Sequence, residues 1–126
     1  MLKAIRHLDY VILLCDDIPR MKQFYHEIMG FPIYRDWESW VEMRVGSVLL
    51  TLRLRNRPYD GPSFQPNSAG IQLAFRVTPA EVDSCYTELQ AQGVEIIEPP
   101  TSKEYGHKTL FFKDPEGNVH EIYADI

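Results

Sequence analysis

Histidine is the side chain whose charge changes near neutral pH, and the chain carries 4: His7, His26, His107 and His120. His107 stands in Tyr105-Gly106-His107-Lys108, a loop ahead of a β-rich run. The glycine there lets the ring reach a cleft mouth and exchange a proton, although a solvated loop histidine fits the same residues. Arg53 and Arg76 offer planar guanidinium groups that would bind an anionic group or pair with a carboxylate. With Arg55 and Arg57 they suit equally a solvated edge that resists strand addition. Trp37, Trp40, Tyr59 and Phe64 fit a lid over a ligand or a dimer seam, and core packing serves the tryptophans as well. Cys15 and Cys85 lack ligand spacing such as C-x-x-C and read as small core residues, thiols in a reducing compartment.

The elements that must position these side chains occur twice. Leu8 to Cys15 is an apolar strand, and Met21, Phe24, Tyr25 and Ile28 then fall on one face of a helix that Gly30 ends. Ile71 to Val77 is again a strand, and Val82, Cys85, Tyr86 and Leu89 repeat the stripe before Gly93. Asp17 with Pro19 caps the first helix, and the capping box Thr78-Pro79-Ala80-Glu81 the second. Three β-rich segments follow each helix, near 31–36, 39–45 and 47–55, then 94–98, 108–113 and 118–124. The last hairpin turns on Asp114-Pro115-Glu116-Gly117-Asn118. The expected architecture is α+β, one domain of two βαβββ modules, 1–58 and 69–126, joined by a crossover loop at 59–68.

Strand parity divides the faces. Val48, Leu50, Leu52 and Leu54 should meet a helix while Leu49, Thr51, Arg53 and Arg55 face away; Ile71, Leu73, Phe75 and Val77 oppose Gln72, Ala74 and Arg76. Helices outside and a mixed inner face predict a curved mixed sheet, a half-barrel enclosing a cleft.

Composition narrows the function. In 126 residues, 13 Lys and Arg against 18 Asp and Glu leave a net charge of −5, the wrong sign for a protein that lives on nucleic acid. The apolar run Val11–Cys15 stops at Asp16 and Asp17, too short for a signal peptide or a membrane span, so no membrane partner and a cytoplasmic location are expected. Two modules with open sheet edges favour a homodimer.

Leu8-Asp9-Tyr10-Val11, Asp17-Ile18, Phe24-Tyr25, Gly30-Phe31 and the closing Phe112-Lys113-Asp114-Pro115-Glu116-Gly117-Asn118 with Glu121-Ile122 resemble the vicinal oxygen chelate superfamily. Its members include glyoxalase I, bleomycin-resistance proteins, fosfomycin-resistance enzymes and extradiol dioxygenases. The resemblance implies paired βαβββ modules around a cleft, often in a homodimer, and no single reaction. Metal-dependent members hold a divalent ion on the first, fourth, fifth and eighth strands. The corresponding positions here are Tyr10, Thr51, Gln72 and Glu121. A phenol, a hydroxyl and an amide replace imidazole or carboxylate at three of these, so a degenerate site without a bound metal cofactor is expected. His7, three residues before Tyr10, has the wrong parity to substitute. His26 on the helix and His120, opposite in parity to Glu121, read as exposed or packed residues.

The leading expectation is therefore a protein that binds or sequesters a small organic ligand through Tyr10, Thr51, Arg53, Gln72, Arg76, His107, Glu121 and Tyr123. The alternatives are a divalent-metal-dependent lyase or dioxygenase, and a metal-free enzyme with Glu121 as base and Tyr10 or His107 as acid.

Overall fold

The structure is a computed structural model that describes residues 1–63 and 70–126. The chain divides into two compact units, Met1–Ser63 and Phe64–Ile126. The first contains β1 (Tyr10–Cys15), α1 (Ile18–Lys22) running on as a π-helix (Gln23–Ile28), β2 (Ile33–Trp37), β3 (Trp40–Val45) and β4 (Val48–Leu54). The second contains β5 (Ala74–Arg76), α2 (Pro79–Ala91), β6 (Ile96–Ser102), β7 (His107–Lys113) and β8 (Val119–Asp125). Each unit is βαβββ with a four-stranded mixed sheet, ordered β1-β4-β3-β2 and β5-β8-β7-β6. In both, the first and last strands run parallel and the other neighbours antiparallel.

Local chemistry explains the repetition. The Asp17 carboxylate accepts the Arg20 N–H at 3.1 Å, and Glu81 accepts the Thr78 N–H at 3.0 Å, so each helix begins on a satisfied donor. Each ends at a glycine in the left-handed region, Gly30 at φ 79° and Gly93 at φ 74°, where a side chain would be strained.

Alternation sorts each sheet as parity requires. Leu13, Cys15, Val41, Met43, Leu50 and Leu52 are buried with Met21, Phe24 and Tyr25 of the first helical segment. Leu110, Phe112, Ile122 and Ala124 are buried with Val82 and Leu89 of α2. A fully buried side chain of this kind contributes ~1.5–3 kcal/mol, so these two clusters carry most of each unit's stability. Cys15 is in the core, its thiol donating to the Leu13 carbonyl at 3.4 Å. Cys85 is half-buried, which pushes its thiol pKa up.

Four local expectations are corrected. The first helix is only partly α: the Met29 N–H reaches back to the Phe24 carbonyl at 2.9 Å, and this wider turn keeps the adjacent Phe24 and Tyr25 both buried. The strand expected over 71–77 is regular only over Ala74–Arg76, with backbone bonds to β8 from the Leu73 carbonyl to the Val77 N–H. Side chains take the earlier donors, with Leu73 N–H going to His120 Nδ1 at 3.0 Å and Ile71 N–H to Asn118 Oδ1 at 3.4 Å. β6 runs on to Ser102, through Pro99 and Pro100 and two register shifts, which an edge strand tolerates because its outer N–H groups need no partner. His107 lies not in a loop but at the start of β7, opposite Asp125.

Candidate functional site

On the second sheet, the face opposite α2 is built in rows. Register aligns Ala74, Glu121 and Phe111, then Arg76, Tyr123 and Thr109, then Asp125 with His107. The Arg76 Nε donates to the Tyr123 hydroxyl at 3.1 Å, its guanidinium carbon lies 5.6 Å from the Tyr123 ring, and Nη1 is 3.7 Å from Asp125 Oδ2. The His107 ring stacks on Tyr123 with centroids 4.7 Å apart, its Nε2 is 3.3 Å from Asp125 Oδ1, and Tyr105 meets it edge-on at 5.3 Å. The hydrogen bond to Tyr123 holds the Arg76 guanidinium above its ordinary pKa, with Asp125 adding to it. The Arg76 side chain is nonetheless 68% exposed, so its outer edge can meet a ligand acceptor. Beside this cluster the buried Thr109 hydroxyl has no hydrogen-bond partner.

The sequence reading offered Arg76, Glu121 and Tyr123, with His107 from a loop, for the ligand site, and missed Asp125 and Tyr105. Asp125 shares parity with Glu121 and Tyr123, the signal that could have found it. Arg76 turns to Tyr123 and Asp125, away from the Glu121 partnership it was offered. Glu121 sits half-buried between Ala74 and Phe111, and Gln72 is exposed ahead of β5.

The first sheet offers another mixed face. Tyr10, Leu49 and Arg44 lie in one row, Ile12, Thr51, Glu42 and Arg35 in the next, and Leu14, Arg53, Trp40 and Trp37 in the third. Arg53 was expected to greet a ligand, but Asp60 holds it bidentately at 2.7 and 3.0 Å. Asp60 also accepts the Asn56 and Arg57 N–H groups at 3.0 and 2.8 Å, and this set of donors holds its carboxyl well below the usual range. Arg53 is thus the anchor of the 56–60 turn. The Thr51 hydroxyl donates to the Leu49 carbonyl at 3.1 Å. Tyr10 is partly exposed, and hydrogen bonding to the Glu42 carboxylate pushes its phenol pKa up. Trp40 is half-buried, Trp37 and Tyr59 are exposed, and Phe64 lies outside the described residues.

The other histidines are placed as packing or surface residues. His7 is exposed; the His26 Nδ1 lies 2.8 Å from the Phe31 carbonyl; His120 is fully buried between Phe75 and Phe112 and accepts the Leu73 N–H.

A divalent ion needs several hard or imidazole donors converging. Here the Tyr10 phenol keeps its proton, the Thr51 hydroxyl is turned to a carbonyl and Gln72 offers an amide. Among the described residues of either unit, no three His, Cys, Asp or Glu side chains come together to hold an ion. These donors do not fit a resident metal.

Two βαβββ units, each with a four-stranded mixed sheet, define an α+β protein of paired modules. The Glyoxalase/Bleomycin resistance protein/Dioxygenase superfamily profile matches residues 7–122, and the chain belongs to that superfamily. It is 25% identical over 124 residues to the metallothiol transferase FosB of Staphylococcus saprophyticus, covering 98% of this chain and 78% of the relative. It is 24% identical to the glutathione transferase FosA of Serratia marcescens, over 98% of this chain and 82% of that one. A crystal structure of a glyoxalase/bleomycin resistance protein/dioxygenase from Nocardioides superposes with a TM-score of 0.84 at 20% identity, covering 97% of this chain and 85% of that one.

Proposed function

We propose that this superfamily member binds a small organic ligand with an anionic group on the Arg76–Tyr123–His107 face of its second unit, without a resident metal. The observation that carries the reading is the exposed Arg76 guanidinium, fixed in direction by Tyr123 and Asp125 beside a stacked imidazole. An aromatic wall with an oriented cation suits a flat carboxylate. Titration of the full chain with benzoate, followed by NMR, should move the signals of Arg76, His107 and Tyr123 saturably. Because the pair is exposed to solvent, Arg76→Ala should weaken benzoate roughly tenfold and the neutral analogue benzamide far less. Equal losses for both probes would remove Arg76 from the site. Within this reading Glu121 is a neighbour of the ligand, so Glu121→Gln should retain most of the affinity.

The second reading, a divalent-metal-dependent transferase or lyase, draws on the similarity to FosB and FosA at 25% and 24% identity. Elemental analysis after expression in metal-supplemented medium separates the two. We expect well under one zinc, nickel, iron or manganese per chain, and a gain of metal only in the double variant Tyr10→His with Gln72→His. Near one ion per wild-type chain would establish the second reading.

We further propose a cytoplasmic homodimer. Among the described residues no helix is long and apolar enough to cross a membrane. The sheets end on β1 and β2, and on β5 and β6; Pro99 and Pro100 blunt the β6 edge, leaving the others for association to cover. Sedimentation at monomer mass, unchanged with concentration, would refute the dimer.

A further inference from the structure

Glu42 is a buried carboxylate of the first sheet with one oxygen outside any hydrogen bond. It lies on β3 between Thr51 of β4 and Arg35 of β2, on the face opposite the helix, and is 2% exposed. Its Oε2 accepts the Trp40 indole N–H at 2.9 Å, whereas its buried Oε1 has no hydrogen-bond partner. The Tyr10 phenol hydrogen-bonds the same carboxylate without meeting Oε1, and the other near groups are committed elsewhere. The Thr51 hydroxyl turns to the Leu49 carbonyl. Arg35 Nε stays 3.8 Å from Oε1, too far for a hydrogen bond, while its half-exposed guanidinium spreads over the Tyr34 and Trp37 rings at 5.1 and 5.5 Å. A buried anionic acceptor left unmet is costly and is conspicuous in a folded protein.

What surrounds that oxygen favours one kind of donor. The Tyr10 and Trp40 rings stand 6.3 Å apart and tilted by 51°, Tyr10 is 39% exposed, and the half-exposed Arg35 side chain stands 3.8 Å from the buried Oε1, so a ligand reaches the carboxylate along this aromatic wall by displacing Arg35. Ring faces attract cations, and a carboxylate pairs best with a donor that is charged. A neutral hydroxyl would meet only half of this environment. An anion would meet the carboxylate's repulsion.

We infer that Glu42, with Tyr10 and Trp40, forms a binding site for the protonated amine of a small organic ligand, which donates to Oε1 and takes the place that Arg35 holds at a distance. The site stands on the first unit alone and on none of the residues assigned to the carboxylate site above, so either can fail without the other.

The test is a titration of the full chain with benzylamine at pH 7, read by tryptophan fluorescence and by NMR. Benzyl alcohol serves as the neutral isostere and benzyltrimethylammonium as the cation without an N–H. Benzylamine should bind saturably and at least tenfold more tightly than benzyl alcohol, with the quaternary cation between them. Glu42→Gln should erase the preference for the amine while leaving the far-ultraviolet circular dichroism unchanged. Arg35→Ala should bind benzylamine at least as tightly as the wild type. Binding that is absent, or equal for amine and alcohol, overturns the proposal. So does an unchanged preference in Glu42→Gln, or a tenfold loss in Arg35→Ala, which would put the probe on Arg35. Should Glu42→Gln fail to fold, the amine-to-alcohol ratio of the wild-type chain and the Arg35→Ala result still decide.

Discussion

Asp114→Ala should cost about 3 kcal/mol of stability and lower the thermal midpoint by roughly 10 °C, measured by chemical and thermal unfolding. Asp114 is 4% exposed. One carboxylate oxygen accepts the N–H groups of Glu116 and Asn118, both at 3.0 Å, and the other accepts the Asn118 amide at 2.7 Å. The Asn118 amide oxygen in turn receives the Ile71 N–H, so the turn between β7 and β8 also anchors the approach to β5. Alanine would strand the buried Asn118 donors and loosen the part-buried Glu116 N–H, and an unmet buried donor costs more than the bond it loses. Asp114→Asn keeps one acceptor but sets its amide against that of Asn118, and should fall between the wild type and alanine. A midpoint within 3 °C of the wild type for alanine would show that the turn is held by its backbone alone. Because β7 and β8 carry His107, Glu121, Tyr123 and Asp125, the same variant should weaken benzoate at temperatures where it is still folded.

The second large effect is at Asp60. Replacing it with alanine leaves Arg53, whose side chain is 10% exposed, as a nearly buried cation without its bidentate partner, and frees the 56–60 turn. The thermal midpoint should fall by on the order of 10 °C. The pH dependence has a definite sign. Hydrogen bonds from Arg53, Arg57 and Asn56 depress the Asp60 carboxyl in the folded state relative to its ordinary value of 3.8. Its contribution is therefore complete above that value and is lost as pH falls below it, the unfolded chain taking up the proton first. Unfolding by denaturant between pH 2 and 6 should show a steeper acid loss for the wild type than for Asp60→Ala. Parallel curves would mean that the pair contributes nothing to acid stability.

Sequence patterns reached the modules and their faces because both rest on short-range rules. Periods of two and 3.6 residues, caps at Asp17 and Thr78, and glycines at 30 and 93 report local geometry, which the chain writes directly. The rule weakened where side chains compete with the ladder. His120 and Asn118 take the donors of Leu73 and Ile71, shortening β5, and no periodicity contains that competition.

Pairing was less legible still. Arg53, Arg76 and Glu121 share an inward parity, and from parity alone a carboxylate–guanidinium partnership is reasonable. The folded chain brings Asp60 to Arg53 through a turn, and Tyr123 and Asp125 to Arg76 through parallel pairing with β8. Glu42 alternates with Val41 and Met43 as any outward residue would, and nothing in that spacing says that it is buried with an oxygen unmet. Thus the sequence alone determined the repeated βαβββ units, the two faces of each sheet and the family, because each depends on neighbours a few residues apart. Only the tertiary structure decided which charges meet, since salt bridges and unmatched acceptors depend on turns and strand pairings that bring particular side chains within 4 Å, and periodicity does not encode these.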